Sequence, residues 1–238
     1  MATACLAASA RGDGRCPAIA GGSSALAAAD AAERLHMIQR GLGADARNAR
    51  IWAWTWAGLY ATSLGINAGR IPLSSHDTQI DAAVATAGSA IGLSMLGILP
   101  LTVMGDQRRL DALVAAAPSD GDRCALLAEA ERLLVRDARS EEFGRGALAN
   151  AGNFVLNIGL GLLLGIGYGH WTAASITTLS GIAVGEVQFA TQPTGAVDLL
   201  GRYRRGDLAG RAAEPRGAFR ISPSVGGGQY SLQFGLQF

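Results

Sequence analysis

Lysine is missing altogether: all 20 basic residues of this 238-residue chain are arginine, against 19 acidic ones, for a formal net charge of +1. Exclusive use of arginine reads as a coding bias. The near-zero balance removes the overall attraction that nucleic-acid binding draws on, so no nucleic-acid partner is expected. Charge is scarce too, at 16%, while hydrophobic residues reach 49%. That is too little polar surface for a typical soluble domain of this length and points to a membrane protein. Cysteine is limited to Cys5, Cys16 and Cys124, in no CxxC or CxxH spacing. This argues against a cysteine metal site, and an odd number rules out a fully paired disulfide set. The only histidines are His36, His76 and His170. His76, with Asp77 and Asp81, reads as part of a solvated polar turn in preference to a metal or proton site. GxSxG, HExxH and P-loop patterns are absent, and no strand precedes the glycines of GLGLLLG at 159–165. No enzymatic activity, cofactor or metal is therefore expected, and no small-molecule ligand can be named.

What the chain does have is four apolar segments near the length a bilayer crossing requires, about 20 residues at about 1.5 Å each. They lie at 51–69, 82–104, 148–169 and 171–190. The first opens with Trp52, Trp54 and Trp56, suited to headgroup level, and the second carries Pro100, which kinks or ends it. Amphipathic helices are expected at 25–47, behind Ser24, and at 122–137, behind Asp122. AERL recurs at 32–35 and 130–133. The predicted organisation is a flexible N-terminus or truncated signal remnant (1–24), a first repeat (25–118), a second repeat (119–208) and a Gly/Pro-rich tail with a terminal strand (209–238). The expected fold class is an all-α membrane protein of four transmembrane helices in two tandem hairpins, plus a short C-terminal β-strand or hairpin.

Within the apolar segments small residues recur every fourth position: Ala57, Ala61, Gly65 and Gly69 in the first, Gly88 and Gly92 in the second, Gly161, Gly165 and Gly169 in the third, Gly181 and Gly185 in the fourth. In lipid, such stripes let backbones approach closely where hydrophobic burial gives no drive, so these residues are expected to pack helices within a subunit or between copies of a homo-oligomer. Asn153 and Asn157 share the third stripe and Glu186 lies in the fourth segment; they form a possible polar pathway, with interhelical bonding and an interfacial position as the plainer readings.

Arginines cluster on one side of these segments. Arg40, Arg47 and Arg50 precede them, Arg108, Arg109, Arg123, Arg132, Arg136, Arg139 and Arg145 lie between the hairpins, and Arg202, Arg204 and Arg205 follow, whereas the hairpin loops hold only Arg70, His76 and His170. The positive-inside rule then puts both termini and the centre in the cytoplasm. Asp120, Asp122, Glu129, Glu131, Asp137, Glu141 and Glu142 alternate with the central arginines, which predicts a solvated helix face.

The run MATACLAASA at 1–10 has the short apolar stretch and small-x-small ending of a secretory signal, and a cleaved signal would reverse that orientation. YSLQFGLQF, at 230–238, alternates apolar residues and ends in phenylalanine. It resembles the C-terminal signature strand of bacterial outer-membrane proteins over those nine residues; the rest of the chain offers no series of alternating strands to close a barrel. A local hairpin of 217–222 with 230–238 is the alternative. Duplicated hairpins with a Gly/Pro-rich tail ending in phenylalanine also resemble uncharacterised envelope proteins of high-GC bacteria, which implies location and no activity. The expectation is a structural or assembly protein of the bacterial cell envelope, in the inner membrane, with outer-membrane or exported placement as the alternative and the lipid bilayer as its main partner. The runner-up function is a small channel or transporter subunit built on Asn153, Asn157 and Glu186.

Overall fold

The computed structural model describes residues 16–98, 101–117, 123–208, 218–226 and 229–237, the last two segments as backbone alone. The run 1–10 with Cys5, Pro100, Asp120, Asp122 and Phe238 lie outside the described residues. The described chain is predominantly helical. Ser23 caps a short α1 (Ser24–Ala28), which ends where Ala29 turns extended. Asp30 then starts α2 (Ala31–Arg70), its Oδ1 accepting the Ala32 N–H at 2.8 Å and the Glu33 N–H at 3.3 Å. The amphipathic helix expected from residue 25 is thus two helices, because the carboxylate of Asp30 draws the real N-terminus to itself.

At 40 residues α2 is about 60 Å long, twice the hydrocarbon thickness of a bilayer. Its first half buries Met37, Ile38, Leu42, Ala46 and Ala49 at helical spacing against α4 (Val103–Ala116), α5 (Arg123–Gly144) and α8 (Gly195–Arg205). Leu110, Leu127, Leu133, Leu134, Leu199 and Tyr203 complete that core, which we call the head. A disulfide joins Cys16 to Cys124, bridging the segment before α1 to the start of α5.

Beyond Trp56 the same helix runs beside α3 (His76–Ile98), while α6 (Ala147–Leu162) runs beside α7 (Trp171–Ala190), and the two pairs meet through α3 and α6. Here burial inverts. Leu59, Ile66, Ile98, Val155, Ile166, Ile176 and Leu179 are exposed, and the polar side chains bond helix to helix. Tyr60 donates to Gln188 Oε1 at 2.6 Å, Ser63 and Ser89 are 2.9 Å apart, and the indoles of Trp52 and Trp56 both donate to Thr191 Oγ1, at 3.3 and 3.2 Å.

Two helical stretches, His76–Ala116 and Arg123–Gly167, are long and apolar enough to cross a membrane, and only 18% and 17% of their most apolar windows are buried. Four separate crossings are not supported on that measure. The second half of α2 is diluted by Thr55, Thr62, Ser63 and Asn67, and α7 by its serines and threonines with Glu186 and Gln188. The expected segment 82–104 is also not one helix: α3 stops at Ile98 and Val103, already buried in the head, opens α4. Pro100 between them has no N–H to continue the ladder. Segment 148–169 divides into α6 and a π-type turn at Leu163–Gly167, after which Gly169, at φ +77°, reverses the chain into α7. In the tail, β1 (Ala218–Gly226) and β2 (Gln229–Gln237) pair antiparallel, Ala218 opposite Gln237 and Gly226 opposite Gln229.

Candidate functional site

Two polar clusters stand out, one between α6 and α7 and one in the head. On α6, Asn153 and Asn157 are one turn apart and face α7. Asn157 Nδ2 donates to the Asn153 carbonyl at 2.9 Å and to Asn153 Oδ1 at 2.8 Å; Asn153 Nδ2 donates to the Ile182 carbonyl at 3.2 Å and reaches Glu186 Oε1 at 3.3 Å. Thr178 Oγ1 donates to the Asn157 carbonyl at 3.3 Å. The three residues expected to line a polar pathway are therefore brought into one hydrogen-bonded line. What makes room for them is the absence of side chains opposite: a Cβ on Gly181 would collide with the Asn157 amide, one on Gly185 with the Asn153 amide, and one on Gly161 with Thr178.

The other small residues divide. Gly165 lies against the Trp171 ring, where a Cβ would come within 2.7 Å, Gly92 against Tyr60 at 2.5 Å, and Gly88 against Leu160 at 3.2 Å. Ala57 is half-buried, whereas Ala61 is exposed and Gly65, Gly69 and Gly169 meet nothing within 4 Å. For these last residues the expected packing contact is absent within the described chain: the α2 stripe rotates outward beyond Ala57, and Gly169 serves the turn.

The expected solvated charged face on α5 is present in Arg123, Arg132, Arg136, Arg139 and Glu142, which are exposed, but it does not include all the acids. Glu131, Asp137 and Glu141 are buried, because α5 lies between α2, α4 and α8. Arg34 of α2, with no exposed surface, donates to Glu131 Oε1 at 2.5 Å, to the Tyr203 hydroxyl at 2.9 Å, and to the carbonyls of Cys16 and Pro17 at 2.8 and 3.0 Å. Tyr203 also donates to Glu131, and burial pushes its phenol above the usual range. The sequence offered a clue: Arg34 belongs to the first AERL and Glu131 to the second. A second recurrence, DAR at 45–47 and 137–139, places Asp45 and Asp137 in comparable positions, each against the start of a helix, α8 for Asp45 and α4 for Asp137. Asp137 Oδ1 accepts from Thr102, ahead of α4, at 2.7 Å, and Arg136 Nε donates to Asp106 Oδ2 at 2.6 Å. Burial pushes Asp137 up to about 8, with Thr102 opposing and Asp106 adding to the rise. Asp45 lies against Gly195 of α8, and Glu141 Oε2 accepts the Val197 N–H at 3.0 Å.

At the opposite end of the molecule, His170 Nδ1 is 2.7 Å from Asp81 Oδ1, which ties the start of α7 to α3; its Nε2 is 3.9 Å from Asp77 Oδ1. His76 is exposed. Among the described residues no group of three or more His, Cys, Asp or Glu could hold a metal ion.

No family model, curated protein or solved structure matches the chain. Neither polar cluster pairs a nucleophile with a base. One joins the consecutive helices α6 and α7 and the other joins elements distant in sequence, and the contacts of both hold helices together.

Proposed function

We propose that this chain is a non-enzymatic integral membrane protein with a structural or assembly role in a bacterial cell envelope. In this reading the second half of α2 with α3, α6 and α7 forms a four-helix bundle in lipid, and the head stands at one face of the membrane. The observation that carries it is the inverted surface: Ile66 and Val155 are 60% and 72% exposed while Ser63, Ser89, Asn153 and Asn157 bond inward. In water so large an apolar belt drives association; in lipid it is the expected exterior. The two halves read as an internal duplication, with the paired AERL and DAR elements forming the head at their junction.

The disulfide supports an orientation. A Cys16–Cys124 bond persists in an oxidising compartment, which favours the head on that side, with both ends of the helical region beside it. The arginine bias gives the opposite answer, but it is a statistical rule and a covalent bond is a chemical requirement. The channel reading draws on the Asn157, Asn153 and Glu186 line. Yet both asparagine amides donate to backbone carbonyls of α6 and α7, which is how packing bonds behave, and the structural reading is preferred.

Alkaline carbonate washing of membranes tests the proposal. The protein should stay in the pellet and require detergent, and a membrane-impermeant maleimide added to spheroplasts should label a cysteine placed at Arg205 in the head while sparing one at His76. Recovery as a folded monomer in detergent-free buffer would overturn membrane insertion, and the reverse labelling pattern would overturn the orientation.

A further inference from the structure

We infer that Asp45 and Glu141 hold one proton between them, and that this proton fastens the first turn of α8, and with it the end of α7, to the head. Asp45 comes from α2 and Glu141 from α5, and they are 3% and 1% exposed. Glu141 Oε2 is occupied by the Val197 N–H at 3.0 Å. Glu141 Oε1 and both oxygens of Asp45 are shut off from solvent and have no donor in hydrogen-bonding geometry from any other group. Two ionised carboxylates in that position would leave three anionic oxygens out of water, at a cost the Gly195, Ala196 and Val197 amides offset only in part. A single proton on Glu141 removes one charge and turns Oε1 into a donor, with Asp45 as its acceptor. The charge left on Asp45 faces the amides of Gly195 and Ala196, at the positive end of the α8 dipole.

The groups that act on the pair come from every element around it. Asp45 feels Glu141 of α5, the Gly195 and Ala196 amides and the Asp198 carboxylate of α8; Glu141 feels Asp45 of α2 and the Val197 and Ala196 amides. None of these is a cation, and Asp198 adds repulsion, so a proton is the counter-charge the site takes. The same pair grips the chain leaving the bundle. Gln192, two residues past α7, is buried and donates to the Glu141 carbonyl at 3.3 Å, and Gly195 must lack a Cβ for Asp45 to approach. With the proton gone, the least costly relief is withdrawal of this first turn of α8, which lets solvent reach both carboxylates.

Burial and the neighbouring Asp45 push Glu141 from its ordinary 4.5 to about 9. A raised acid stabilises the fold fully below the ordinary value. That contribution drains away as pH climbs, because the unfolded chain gives up its proton first, and it is exhausted once pH passes the folded value. The full chain in detergent should therefore lose stability from about pH 5 to about pH 9, and Glu141→Gln, which carries a permanent donor, should lack that share of the loss. Its folding constant is expected to change about tenfold less per pH unit than the parent's across the window. Asp45→Asn, which removes the neighbouring charge but leaves Glu141 buried, provides a second variant with a smaller flattening in the same direction. Hydrogen-exchange protection at Gly195–Val197 should collapse above about pH 9 in the parent and persist in Glu141→Gln. Parental pH slopes in both variants, or protection of α8 that does not change with pH in the parent, would overturn the inference. The outcome does not depend on whether the bundle spans a membrane.

Discussion

Gly181 and Gly65 both belong to the stripes of small residues, yet the structure gives them opposite surroundings. A single methyl on Gly181 meets the Asn157 amide, while one on Gly65 meets open space. Gly181→Ala should therefore lower stability by about 1–3 kcal/mol through overpacking. Gly65→Ala should be neutral or gain up to about 1 kcal/mol from helix propensity. Unfolding of detergent-purified protein by a denaturing detergent would measure the difference, and equal midpoints would refute it. Four-residue spacing could not distinguish the two sites, because a helix turns by slightly less than four residues and a long stripe rotates away from its neighbour. Arg34 presents the residue-scale lesson from the other side. A guanidinium on an amphipathic helix looks solvent-facing in sequence; here it is fully buried because Glu131, Tyr203 and two carbonyls together satisfy it. Arg34→Leu, leaving Glu131 buried without its counter-charge, should cost about 3–5 kcal/mol, whereas adding Glu131→Leu to it should recover much of that. Chemical denaturation of the single and double variants would check both.

Elements were legible where periodicity is local. The helix read at 171–190 coincides with α7, and the tryptophans at 52, 54 and 56 do lie where α2 leaves the head. What escaped were features set by contacts across long sequence separations. Glu131, Asp137 and Glu141 alternate with arginines in a pattern that suits a wet helix surface equally well. Their burial is decided by α2 and α8, which bring Arg34 and Val197 to them from 97 and 56 residues away. The boundary of α2 escaped for a different reason: Ser24 and Asp30 are both competent caps, and only the extended backbone at Ala29 shows that the chain uses Ser23 and Asp30 in turn. AERL was legible as a recurrence, but that its two copies would touch was not.

Over the whole molecule, a long-range constraint is the Cys16–Cys124 bond, which spans a sequence separation of 108 residues and so closes α1 through α4 into one loop. A loop of that length lowers the entropy of the unfolded chain enough to stabilise the fold by about 5 kcal/mol in the simple chain model. Treatment with a phosphine reductant, or Cys124→Ser, should lower the thermal unfolding midpoint of the head by a corresponding amount; an unchanged melting curve would mean that the bond does not form. The odd cysteine number had argued only against complete pairing, and nothing in spacing picks Cys16 and Cys124 as partners, since their meeting depends on the head assembling first.

One contrast between the halves has a mechanical consequence. The head is joined to the rest at four places: α2 passes through without a break, whereas the helix is interrupted between Ile98 and Val103, between Gly144 and Ala147, and between Ala190 and Gly195. With one stiff strut and three articulated ones, the head turns most easily about the axis of the stiff one. Pushing on the head would thus turn into a twist of α6 against α7, along the seam where Asn153 and Asn157 sit opposite their glycines.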